Sequence, residues 1–256
     1  MEQTKIIFHI DVNSAFLSWS AVKQLKEDPS AVDLRTIPSI VGGDISTRHG
    51  VVTAKSIPAK KYGIRTGEPV AKALQKCPNL TIVRSDFETY RAYSRQFIGI
   101  LKKYSPVVEQ ASIDEAYADI TPLWEAYSGP LSGKEYAIET AARIRAEIRE
   151  TLGFTVNVGI SSNKLLAKMA SDFSKPDKTH TLYPDEIAEK MWPLPVDELY
   201  GCGAKTAEKL RTLGLLTIGD AAAQPVEMLK MSFGVSATRS PAVRSWRTRN
   251  VCCVDN

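Results

Sequence analysis

Val107-Val108-Glu109-Gln110-Ala111-Ser112-Ile113-Asp114-Glu115-Ala116-Tyr117-Ala118-Asp119-Ile120 reads as strand, tight turn, strand, with two adjacent acids at the turn. Upstream, Ile6-Ile7-Phe8-His9-Ile10 is a short apolar run best taken as a buried strand. Asp11 stands at its C-terminal end, and Asn13-Ser14 follow as helix N-cap residues. A sheet that lays these strands side by side gathers Asp11, Asp114 and Glu115 at one edge, where they repel one another unless cations are bound. Hard oxygen ligands of this kind suit magnesium, which is usually held by one or two carboxylates plus substrate phosphates. Two such ions about 4 Å apart can activate an attacking hydroxyl and stabilise a leaving pyrophosphate, the logic of phosphoryl transfer. Taken singly, each acid has a plainer reading. An Asp-Glu pair is commonly a solvated turn, and Asp11 can be a helix N-cap; the conjunction of acids at two strand ends favours the metal site.

Outward from these strands, Phe16 to Leu25 has helical spacing, Ile37 to Val41 and Val51 to Ala54 read as strands around Gly42-Gly43-Asp44, and a short helix covers Ala59 to Tyr62. A long amphipathic helix from Glu88 to Tyr104 stops before Pro106, and Lys134 to Leu152 is another. Thr155 to Ile160 is a strand, after which Ser161-Ser162 cap a helix through Ala170. The interleaving is too irregular for a doubly wound parallel sheet, so the expected class is α+β, a mixed or antiparallel sheet backed by helices.

The chain has 256 residues, 43% of them hydrophobic, with a net charge of +4 and a pI near 8.8. It is long enough for a real core, and its mild basicity permits a polyanionic partner without requiring one. The apolar run after Lys5 ends at Asp11, too short for a signal peptide or a membrane span, which leads us to expect a cytoplasmic protein with no membrane partner. Cys77, Cys202, Cys252 and Cys253 lack zinc-site spacing and are expected to be reduced thiols.

A second motif runs from Val196 to Leu210 through Gly201-Cys202-Gly203-Ala204-Lys205, followed by Leu213-Gly214-Leu215 and Ile218-Gly219-Asp220. It reads as helix, Gly-x-Gly hairpin, helix. The backbone N–H groups of such a hairpin can receive a DNA phosphate without reading sequence, with Lys205 and Lys209 adding charge. A connection between two packing helices is the bland alternative.

Over about Ile6 to Leu229 the chain resembles the Y-family DNA polymerases, in the DNA polymerase IV and UmuC-like branch. The resemblance rests on Asp11-Val12-Asn13-Ser14-Ala15-Phe16, Ala111 to Ala116, Val158-Gly159-Ile160-Ser161 through Asn163-Lys164-Leu165-Leu166-Ala167-Lys168, Ser174-Lys175-Pro176 and the Gly-x-Gly hairpin. It implies a right-hand polymerase with a palm at 1–14 and 86–182, small fingers at 15–85, and a helical thumb with a helix-hairpin-helix at 183–234. It implies two magnesium ions on Asp11, Asp114, Glu115 and the Val12 backbone, with Glu115 as the catalytic glutamate. Phe16 matches a bulky aromatic under the incoming sugar, a steric gate against ribonucleotides, and Lys175 a lysine on the triphosphate. Gly201, Gly203 and Lys205 would hold DNA. The implied partners are primed template and deoxynucleoside triphosphates, and the chain is expected to act as a monomer.

The sequence departs from the family in two places. In Ala54-Lys55-Ser56-Ile57-Pro58-Ala59-Lys60-Lys61, Ile57 replaces a tyrosine and Lys60 an arginine that hold the triphosphate in many members, so a bidentate guanidinium becomes a point charge unless Lys55 and Lys61 compensate. From the resemblance we expect the chain to lack the little-finger domain that follows the thumb in the family, together with the far C-terminal segment that usually binds a sliding clamp in relatives. Residues 235–256 carry no clear period, and we expect an out-of-frame, disordered tail; a basic arm binding DNA through Arg239, Arg244, Arg247 and Arg249 is the alternative. The function expected is template-directed DNA synthesis of the translesion type. Two readings compete with it, a truncated member that only binds DNA and a palm-type nucleotide cyclase, and the hairpin and Phe16 argue against the second.

Overall fold

The computed structural model describes residues 5–43, 50–127 and 129–225. The tail expected at 235–256, Asp44 of the predicted turn and the last residues of the 183–234 segment lie outside them.

The chain divides into two compact units, one of Ile10–Asn157 with Lys175–Lys178, the other of Met1–His9, Val158–Ser174 and Thr179–Asn256. In chain order the first elements are β1 (Ile7–Val12), α1 (Ala15–Glu27), β2 (Ser39–Gly42), β3 (Val52–Lys55), α2 (Ile57–Lys61), α3 (Val70–Lys76) and β4 (Thr81–Val83). They continue with α4 (Phe87–Tyr104), β5 (Val108–Gln110), β6 (Glu115–Asp119), α5 (Thr121–Glu125), α6 (Gly133–Leu152), β7 (Val156–Ser161), α7 (Lys164–Asp172) and β8 (Thr179–Thr181). The last helices are α8 (Ile187–Lys190), α9 (Ala204–Thr212) and α10 (Ile218–Ala222).

In the larger unit β5 runs antiparallel to β6 with Glu109 opposite Tyr117, and β6 neighbours β1, whose end Ile10–Val12 belongs to this unit. Every residue of β1 is buried, as a strand covered on both faces must be. The helices α1, α4 and α6 pack in series, α4 against both of the others. A capping box opens α6, where Ser132 and Glu135 satisfy each other's backbone N–H, and Gly153 at φ 79° closes it in the left-handed conformation. A separate sheet, in the order β3-β2-β4, covers a small core of Ile40, Val52, Ile64, Val70 and Leu80. Its β2–β3 pair is antiparallel and its β2–β4 pair parallel, so both sheet types expected of a mixed architecture occur.

In the smaller unit β7 pairs in parallel with β8. α7 lies directly on β7 at Gly159, where a Cβ would collide with the Ala167 carbonyl oxygen and the Ser171 nitrogen. Leu166, Leu182, Val196, Leu199, Leu210 and Ile218 form its core.

Three local expectations are corrected. The cap of α7 is Asn163, whose Oδ1 accepts from the Leu166 N–H at 2.9 Å, whereas Ser161 belongs to β7 and turns its hydroxyl to the Leu182 carbonyl. Asn13 does not cap α1; Ser14 holds that position at φ 47° with no side-chain cap bond. The first helix of the hairpin motif is a single 3-10 turn, Val196–Glu198, because Pro195 fixes its start and Gly201 at φ 83° ends the segment soon after.

Candidate functional site

Asp11 is placed by backbone pairing on both sides of β1. The Val12 N–H donates to the Asp114 carbonyl at 3.0 Å and the Asn13 N–H to the Thr155 carbonyl at 3.0 Å, which brings the Asp114 turn beside the end of β1. Ser112 shapes that turn: its hydroxyl donates to Asp114 Oδ1 at 2.7 Å and accepts the Glu115 N–H at 3.1 Å. The Ile113 carbonyl accepts from the Ser94 hydroxyl at 2.6 Å, fixing the turn to α4. A serine two residues before an acid thus supplies a local hydrogen-bond frame that a plain solvated loop lacks.

Asp11 and Asp114 line one cavity of about 250 Å³, together with Val12, Phe16, Lys55 and Lys175. Lys175 ion-pairs with Asp11, whose side chain is 8% exposed, so the buried carboxylate is compensated as its burial demands. Facing it, Lys55 Nζ donates to the Thr66 hydroxyl at 3.1 Å. Burial pushes the Lys55 amine below its usual pKa, the nearby Lys60 charge pushes it further in the same direction, and Glu68 opposes them. Two acids and two ammonium groups around one open cavity form a place where a polyanion and hard cations can meet.

Phe16 borders the same cavity from α1, half-buried, with its ring stacked on Tyr90 of α4 and edge-on to Phe87. Tyr90 is fully buried and shares a hydrogen bond with the Ser20 hydroxyl at 3.0 Å. The aromatic is therefore supported on one side and open on the other.

The remaining candidates lie elsewhere. Glu115 opens β6 and falls outside the cavity lining. Among the described residues no group of three or more His, Cys, Asp and Glu side chains gathers to hold a metal ion. Asp114 ends the Ser112 turn and Glu115 is the first residue of β6, so the two adjacent acids belong to different local structures. Lys60 is exposed on α2 and does not border the cavity; Lys55, at the end of β3, does. Gly201, Gly203 and Lys205 sit in the smaller unit, where Gly203 is the N-cap of α9 and buried Cys202 anchors the hairpin. No helix of the described residues is long and apolar enough to cross a membrane.

Sequence reasoning did not single out Ser112, Thr66, Tyr90 or the link between Asn13 and the Lys175 loop. Ser112 carried a readable signal, a hydroxyl two residues before an acid at a turn; the others are set by tertiary packing.

The mixed sheet, the paired acids and the hairpin define the class as the fold of the Y-family DNA polymerases, with palm, fingers and thumb. The chain belongs to the impB/mucB/samB family, whose sequence model matches residues 10–172, and the IMS family HHH motif matches residues 184–215. It is 51% identical over 230 residues to DNA polymerase IV of Clostridium acetobutylicum, covering 90% of this chain and 56% of that protein. Among solved structures, DinB from Sulfolobus solfataricus superposes with a TM-score of 0.81 at 29% identity, covering 98% of this chain and 69% of the other. An insertion ternary complex of Dbh DNA polymerase superposes with a TM-score of 0.80 at 29% identity, over 98% and 70% of the two chains. The chain spans about half the length of the curated relatives it matches.

Proposed function

We propose that this chain carries the catalytic centre of a template-directed DNA polymerase of the translesion type, adding deoxynucleotides to a primer end opposite damaged or undamaged template. The observation that carries the reading is the meeting of Asp11, Asp114, Phe16 and Lys175 around one cavity. In this reading residues 15–85 form the fingers, 1–14 with 86–182 the palm, and 183–234 the thumb; the separate β3-β2-β4 sheet with its own core supports the first assignment.

The donor set fits magnesium: Asp11 and Asp114 offer carboxylate oxygens and Val12 a carbonyl, all hard ligands at the edge of one cavity. Asp11, Asp114 and Val12 would hold two ions, and Glu115, which opens β6 outside the cavity lining, would have to turn towards them to complete the set; when bound, the ions neutralise phosphate charge and activate the primer hydroxyl. The chain's own residues do the rest. Lys175 gives up Asp11 for a phosphate oxygen of the incoming nucleotide, and Lys55 meets the same triphosphate from the fingers side. Phe16 bars a 2′-hydroxyl by contact. The hairpin at Gly201 to Lys205 receives the DNA backbone through N–H groups and charge. We take the chain to act as a monomer, one unit supplying both acids and both lysines.

Primer extension with magnesium and deoxynucleotides at low salt, compared with Asp114→Ala, tests the reading. Extension by the parent chain that is lost in the variant supports it. A folded parent chain that extends nothing overturns it and leaves DNA binding alone.

A further inference from the structure

Lys175 reaches Asp11 from a loop, and a loop holds a side chain only as well as it is itself tied. Here the tie is dense. Asp177, two residues on, adopts φ 55°, a left-handed conformation that aspartate tolerates better than most residues. Its N–H donates to Asn13 Oδ1 at 2.9 Å. Arg145 of α6 donates to Asp177 Oδ1 from Nε at 3.0 Å and from Nη2 at 2.9 Å, and Nη2 also reaches the Asp177 carbonyl. Arg149 Nη1 adds a bond to Oδ2 at 3.0 Å. The next residue, Lys178, donates its N–H to Asn157 Oδ1 at 3.2 Å, the same atom that accepts Asn13 Nδ2 at 3.1 Å.

Asn13 and Asn157 are both buried, and Arg145 is largely covered, its side chain 21% exposed. The pattern has a simple register. Asn13 follows Asp11 by two residues, Asp177 follows Lys175 by two, and the bond between the followers fixes the separation of the leaders. An arginine held on one carboxylate by two N–H groups adds orientation to attraction.

We propose that Asp177, latched by Arg145 and seated on Asn13, is a positioning residue that holds Lys175 at the polyphosphate end of the cavity, an inference that rests on the nucleotide-transfer reading of that cavity. An ordinary staple between α6 and a loop would contribute stability alone. A positioning residue acts through Lys175 and loses its effect when Lys175 is gone.

Two measurements on the full chain separate these cases. The first needs no activity: amine acetylation with acetic anhydride in metal-free buffer, read by mass spectrometry, with exposed Lys205 as internal standard. Lys175 is expected to label several-fold faster in Asp177→Asn and Arg145→Ala than in the parent chain. Unchanged labelling overturns the proposal, whether or not the chain extends primers. Asp177→Asn keeps the shape and the backbone tolerance, so it carries the test if Arg145→Ala does not fold. The second is steady-state primer extension. Asp177→Asn is expected to raise the KM for the nucleotide about tenfold, the effect of losing one charge-assisted hydrogen bond, with kcat nearly unchanged. It should add nothing further in a Lys175→Ala background. Full additivity in that background overturns the proposal. A parent chain that extends nothing removes the nucleotide reading, while the labelling result still decides whether the latch holds Lys175.

Discussion

The ring of Phe16 lies on the ring of Tyr90, centroids 4.7 Å apart and planes 17° from parallel. Tyr90 in turn is packed among Trp19 and Phe87, so the residue bordering the cavity stands on an aromatic base supplied by α4. Phe16→Ala is expected to reduce discrimination against ribonucleotides by about 10- to 200-fold, the range of a single steric contact in a pocket. Tyr90→Leu, which keeps Phe16 but removes its flat support, should reduce discrimination by a smaller factor. Competing deoxy- and ribonucleotide incorporation by the variants measures both; unchanged discrimination in Phe16→Ala removes the gate assignment.

Two lysines near the β3–α2 junction are expected to behave differently. Lys55 borders the cavity and Lys60 does not, so Lys55→Ala should raise the nucleotide KM about tenfold and Lys60→Ala by much less. The pH dependence has a definite sign. Burial, then the Lys60 charge, lowers the Lys55 pKa from the usual amine value, so its charge is lost earlier as pH rises, and nucleotide affinity should fall in the alkaline range below that of an ordinary lysine. Lys60→Ala should move that fall to higher pH. A KM profile against pH that is identical in the two proteins would show that the amines are not coupled.

Much of this site was legible in the sequence, for a physical reason. Asp11 and Asp114 flank runs whose apolar character and turn residues are local properties, so their place at strand ends could be read without a fold. The existence of α4 and α6 followed from long periodic segments in the same way. What escaped was short or non-local. The three residues of β4 are too few to show a period, and they become a strand only by pairing with β2. Asn13 carries a good N-cap side chain, yet its partners lie at Thr155, Asn157 and Asp177, more than a hundred residues away. The preference of Lys55 over Lys60 for the cavity depends on where β3 ends and α2 begins, and boundaries are the least local feature of all.

Asp86 tests the joint between α1 and α4. It caps α4 by accepting the Thr89 N–H at 3.1 Å and binds Lys23 of α1 at 2.8 Å. The Lys23 ammonium, with the Thr89 hydroxyl and N–H after it, holds the Asp86 carboxyl well below the usual carboxylate range. A depressed carboxylate contributes stability that is fully present above its unfolded value of about 3.9 and is lost as pH falls through the lower folded value. Asp86→Ala should cost about 1 kcal/mol at neutral pH through loss of the cap, lowering Tm by roughly 2–4 °C. Thermal melts from pH 7 down to pH 2 should show the difference shrinking towards the acid end; a constant difference would mean the charge is irrelevant.

In the hairpin the two glycines differ. Gly201 sits at φ 83°, so Gly201→Ala should destabilise the chain by about 1–2 kcal/mol. Gly203 has ordinary dihedrals, and a Cβ there meets nothing within 4 Å, so Gly203→Ala should cost less, about 0.5 kcal/mol, through the poorer N-cap that alanine makes for α9. If the hairpin backbone receives phosphate, that same change weakens DNA binding, and Lys205→Ala reduces the slope of log affinity against log salt by about 0.9. Binding titrations at several salt concentrations, with melting curves alongside, distinguish the two effects. Full-strength binding by Gly203→Ala would place the phosphate elsewhere.

At Gly159 the helix that follows β7 lies on the strand backbone to backbone, with no side chain between them. Most helix–sheet joints are cushioned by interdigitating side chains that can change rotamer and absorb a small slide. This one has no such padding. At this point a slide of α7 over β7 meets backbone directly and cannot be taken up by a change of rotamer.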